Sequence, residues 1–168
     1  MTAAAEPHAA DSPAEARGAH RGVVFSMCLA LVLVASSMSA LNLALPALAL
    51  GLSASNTSLT WIVDGYTVAL AGLVLPLGAL GDRVGRRRVL VAGTVVFGAA
   101  ALAASTAGGP AALVACRVAM GLGAAMIMPG TLSTMTAALP EEGRFRAVAL
   151  WAGCAAAGVM IGMLASGA

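Results

Sequence analysis

Two ionisable side chains, Asp64 and Arg117, stand inside long runs that are otherwise apolar. A charge at the middle of a helix in hydrocarbon costs about 2.5–3.5 kcal/mol on insertion scales, so neither is expected to face acyl chains. A carboxylate and a guanidinium lining one aqueous cavity can handle a proton or another cation. Protonating Asp64 would change the charge of that cavity and bias an equilibrium between conformations. The structural alternative is a salt bridge pinning two helices, or an aspartate hydrated near the interface.

A second constellation is Gly78 to Leu90, GALGDRVGRRRVL, which reads as a tight, arginine-loaded turn between two apolar stretches. Gly78, Gly81 and Gly85 let the chain approach other backbones closely. Asp82 among Arg83, Arg86, Arg87 and Arg88 can form charge-assisted bonds and complement a helix N-terminus. A solvated loop would explain the arginines but not the spacing of the glycines and the aspartate. Cys28, Cys116 and Cys154 lie in apolar stretches with no Cys/His cluster, which predicts buried thiols and no metal site. No nucleophile–base–orienter set or nucleotide loop is visible, so an enzyme is not expected. A net charge of +2 without a basic aromatic face argues against nucleic acid as a partner.

The elements that must position these residues follow from composition. The 168 residues are 60% hydrophobic and 10% charged, with a mean hydropathy of +0.95. Soluble domains carry about 25% charged residues, so the expected solvent is a lipid bilayer. Residues 1–22 are rich in Ala, Pro, Glu and Arg and read as a disordered tail. Residues 23–168 read as an all-α membrane bundle of five transmembrane helices, at about 23–46, 59–80, 89–107, 111–135 and 148–168. Each is near the ~20 residues that span ~30 Å of hydrocarbon, and the first is too long for a signal peptide. Barrel-strand alternation is missing, and helices satisfy their own backbone groups in lipid. Pro46 is expected to kink or end the first span.

Orientation follows from arginine, since the chain has no lysine. With alternating spans, eight of the nine arginines, all but Arg117, fall on one side, whereas the loops around 51–58 and 105–110 carry none. The positive-inside rule makes that side cytoplasmic, with the N-terminus inside and the C-terminus outside. Asp64 and Arg117 then enter from the outer face to similar depths, roughly 8–10 Å at 1.5 Å per residue. Gly121 and Gly123 in the fourth span, and Gly158 and Gly162 in the fifth, predict close helix packing, with a hinge as the alternative. Met120, Met126, Met128, Met160 and Met163 are expected to fill the bundle.

These residues resemble the major facilitator superfamily, and within it the fourteen-helix drug:proton antiporters. Gly78-Ala-Leu-Gly-Asp82-Arg83-Val-Gly85-Arg86-Arg87-Arg88 matches the superfamily signature between helices two and three. Asn42-Leu-Ala-Leu-Pro46 is similar to the end of the antiporters' first-helix motif, and Trp61-Ile-Val-Asp64-Gly-Tyr66 to the start of their second helix. Arg117-Val-Ala-Met-Gly121-Leu-Gly123-Ala-Ala-Met-Ile-Met-Pro129 is similar to the fourth-helix motif. Three positions depart from the pattern. Ser37 replaces an acidic residue, Met120 replaces a glutamine, and Gly162-Met163 lacks the proline of a Gly-Pro pair.

The resemblance implies a fold of two six-helix bundles, each of two inverted three-helix repeats. This chain would supply one repeat and two-thirds of another, as a truncated N-terminal segment inactive without the missing C-terminal helices or a complementary chain. It implies proton-coupled efflux by alternating access, with Asp64, Arg117 and Asn42 on the proton or substrate pathway. Gly78, Asp82, Arg83, Gly85, Arg86 and Arg87 would form a latch between access states. The expected setting is a multi-pass place in the plasma membrane, with small amphipathic or cationic drug-like substrates. No cofactor is expected, the proton gradient being the energy source. Transport of another solute, or a non-transporting membrane scaffold, are the alternatives.

Overall fold

A computed structural model describes residues 13–51, 54–137 and 144–167. They form five helices: α1 (Pro13–Gly51), α2 (Asn56–Val84), α3 (Arg86–Ser105), α4 (Pro110–Ala137) and α5 (Arg144–Gly167). All five are long and apolar enough to cross a membrane, so the chain is an all-α, multi-pass membrane protein. Large apolar side chains such as Leu75, Leu102 and Leu164 point outward, 73–80% exposed, which suits a lipid surround and not water.

The helix ends follow local chemistry. Ser55 caps α2, its hydroxyl accepting from the Ser58 amide at 3.2 Å, so the polar turn expected at 51–58 is shorter than its composition suggests. Pro110 opens α4, where its missing N–H removes no intrahelical bond. Gly85 separates α2 from α3 with φ +110°, and its amide closes α2 on the Gly81 carbonyl at 3.0 Å. That conformation is open to glycine and strained for other residues.

One expectation and one branch of another need correction. The disordered tail expected at 1–22 is helical from Pro13 onward, and residues 1–12 lie outside the described residues. Proline presets the first turn, Ala, Glu and Arg favour helix, and the segment extends an existing helix without a nucleation cost. Pro46 does not end the first span, because α1 continues to Gly51.

Packing is organised by helix pairs. α4 lies against both α2 and α3, and α1 lies against α5. The buried centre joins Val34 of α1, Tyr66 of α2, Phe97 and Ala100 of α3, and Met120, Ala124 and Ile127 of α4. Met120 and Met126 do face bundle neighbours, whereas Met160 and Met163 are exposed.

Candidate functional site

Arg117 is 4% exposed, deep between α4 and α2. Its Nε donates to the Ile62 carbonyl at 3.3 Å, and one terminal nitrogen lies 3.9 Å from the Met120 sulfur. The guanidinium sits over the Tyr66 ring, 4.5 Å from the centroid. A desolvated cation over an aromatic face gains about 2 kcal/mol or more, which partly offsets its removal from water. Tyr66 itself is fully buried. Its hydroxyl lies beside Ser37, whose own hydroxyl donates to the Val34 carbonyl 2.8 Å away. Among the described residues the phenolic oxygen has no hydrogen-bond partner.

Asp64 shares the level of Arg117 but not its face. Ile62 and Tyr66 point toward α4 and are buried, while Asp64, two residues from each, is exposed. Two residues turn a helix by about 200°, so no α2 rotation could present all three to α4. Among the described residues no ion pair joins Asp64 to Arg117, and the expected pair is corrected to an Arg117–Tyr66 contact. Thr60 and Thr67 flank Asp64 on the same exposed face. Asn42 is not brought to this site either. It is exposed on α1, and its amide donates to Met38 at 3.3 Å.

Beside Arg117, a groove of about 600 Å³ runs between α1, α3, α4 and α5, lined in part by Ser37, Met120, Ser105 and Ser166. Tyr66 and Ile62 were not singled out from sequence. The available signal was their spacing of four residues, at the depth of Arg117 and on the face away from Asp64.

At the α2–α3 turn, the arginine-rich segment forms a compact structure. Arg86 Nε donates to Asp82 at 2.9 Å across one helical turn. Arg83, Arg87 and Arg88 are exposed. Gly81 is buried against Val89 of α3, and Gly78 meets the Pro129 ring of α4, where a Cβ would lie 3.4 Å away. A cavity of about 120 Å³ lies under the ion pair, bounded by Gly78, Gly81, Met126, Pro129 and Ser133.

The remaining singled-out glycines hold the helix pairs together. A Cβ at Gly121 would stand 2.5 Å from the Tyr66 carbonyl oxygen, and one at Gly123 2.8 Å from the Gly93 oxygen. A Cβ at Gly158 would lie 2.7 Å from the Val32 oxygen, and one at Gly162 would collide with the Ser36 carbonyl. All four act as close-packing positions, with the small-residue logic of membrane helix interfaces.

Comparison with known proteins agrees with this architecture. The methyl viologen resistance protein SmvA of Salmonella typhimurium is 42% identical over 140 residues, 83% of this chain and 28% of the relative. The multidrug efflux pump LfrA of Mycolicibacterium smegmatis is 38% identical over 143 residues, 84% and 28% respectively. The lincomycin resistance protein of Streptomyces lincolnensis is 37% identical over 164 residues, 98% and 34% respectively. The chain thus spans 28–34% of the length of these relatives. The profile of the Major Facilitator Superfamily matches residues 27–168, and the chain belongs to that superfamily.

Proposed function

We propose that this chain forms the N-terminal bundle segment of a proton-coupled multidrug exporter that works by alternating access. The observation that carries the reading is the buried guanidinium of Arg117, held by a carbonyl and a ring inside a membrane-spanning helix pair. Buried charge at that depth is costly and marks transport pathways more often than scaffolds. The names of SmvA, LfrA and the lincomycin resistance protein support small drug-like compounds as the cargo class.

In this reading Asp64, exposed on α2 between Thr60 and Thr67, is the carboxylate that exchanges protons. Arg117 fixes the positive potential behind it, and the Gly78–Arg88 turn latches one access state. The energy source is the proton gradient, and no cofactor takes part. The arginine bias supports a cytosolic α2–α3 turn, and the reading sets the protein in the plasma membrane. In this reading further transmembrane helices are needed to complete the cavity.

The test grafts residues 27–168 over the corresponding stretch of SmvA in an efflux-deficient host. The chimera should restore methyl viologen resistance, lose it with a protonophore, and lose it with Asp64→Asn. A chimera that reaches the membrane but leaves the host sensitive would overturn the reading. Full activity in Asp64→Asn would remove Asp64 from the coupling step.

A further inference from the structure

α1 and α5 run side by side in parallel with a fixed register. The Ser166 hydroxyl donates to the Ala40 carbonyl at 2.9 Å, a separation of 126 positions. One turn back, Gly162 abuts the Ser36 carbonyl, and a further turn back Gly158 abuts Val32. Both contacts keep the same offset. The next turn at the same offset places Cys154 opposite Cys28, with the two side chains beside each other.

We propose that Cys28 and Cys154 are a redox-reactive dithiol, which a lipid-soluble hydroperoxide converts to a disulfide joining α1 to α5. A disulfide needs Cα atoms about 4.4–6.8 Å apart, a spacing that helices packed through glycine backbones approach. Cys154 lines a groove of about 550 Å³ with Val32, Arg146, Gly153 and Ala157, and both cysteines are half-buried. Their place within apolar spans selects an oxidant that partitions into the bilayer. Cys116 lies on α4, outside this seam.

The first sulfur attacks the peroxide, the O–O bond breaks, and an alcohol leaves with one proton. The resulting sulfenic acid is attacked by the second sulfur. The S–S bond forms, the S–O bond breaks, and water leaves with the other proton. The two sulfurs together give up two electrons, which reduce the peroxide.

The test exposes the full chain in membrane vesicles to cumene hydroperoxide, then denatures it and counts thiols with a maleimide by intact mass. The untreated chain should take three maleimides. The oxidised chain should take one and weigh two hydrogens less, and dithiothreitol should restore all three. Cys116→Ser should still close the bond, while Cys28→Ser and Cys154→Ser should not; serine keeps nearly the size of cysteine at this interface. Three reactive thiols after peroxide would overturn the proposal. So would oxygen adducts without hydrogen loss, or a bond formed only between two chains.

Discussion

Arg117 is held by neighbours that carry no charge, a carbonyl from Ile62, the Met120 sulfur and the Tyr66 ring. The ring and the hydroxyl of Tyr66 therefore have opposite energetic signs. The ring receives the cation, but among the described residues the buried hydroxyl finds no partner, and an unsatisfied buried group costs about 1–3 kcal/mol. Tyr66→Phe keeps the first and removes the second, so melting in detergent should be unchanged or raised. Tyr66→Ala removes the ring and opens a cavity, with an expected loss of about 3–5 kcal/mol. The Asp82–Arg86 pair is half exposed, so Asp82→Asn should lower stability by no more than about 1 kcal/mol. In the chimera its effect on resistance should be much larger, because a latch acts on the balance between access states.

At the scale of elements, two parallel helix pairs share one device. α4 lays Arg117 and Gly121 on Ile62 and Tyr66 of α2, and α5 lays Gly158 and Gly162 on Val32 and Ser36 of α1. Each contact repeats at four residues, one turn of helix. Polar bonds reinforce the second pair, Ser39 to the Val159 carbonyl at 2.8 Å and Ser166 to Ala40. Gly162→Leu and Gly121→Leu must push backbone aside and should abolish a stable folded form in detergent, read as loss of a monodisperse peak. Gly153→Ala is the control. Nothing lies within 4 Å of its added methyl, and removing a mid-helix glycine should stabilise by about 0.5–1 kcal/mol. At the α2–α3 junction, Gly85→Ala forces φ +110° on a residue with a Cβ and should cost about 1–3 kcal/mol in a thermal melt.

For the whole molecule, the arginine distribution predicts the orientation. A reporter inserted at the α2–α3 turn should be active only in the cytosol, and one at Gly108–Gly109 only outside. The reverse pattern would contradict the positive-inside assignment. The pairing of α1 with α5 and of α4 with α2 crosses between the first three helices and the last two. Such exchange suits a bundle built from two three-helix repeats.

The five spans were legible because lipid imposes length and apolarity on every crossing segment, and the turn motif because glycine and arginine spacing there is unusual. The close-packing roles of Gly121, Gly123, Gly158 and Gly162 were also readable, since small residues in apolar helices have few other uses. Start points such as Pro13 were not, because a helix can extend past its apolar run at little cost. Which face each span presents was left to tertiary structure. Depth follows from counting residues along one helix, so Asp64 and Arg117 were placed at one level by sequence. Whether they meet depends on how each helix rotates about its axis, and burial of Ile62 and Tyr66 against α4 turned the carboxylate away from the guanidinium.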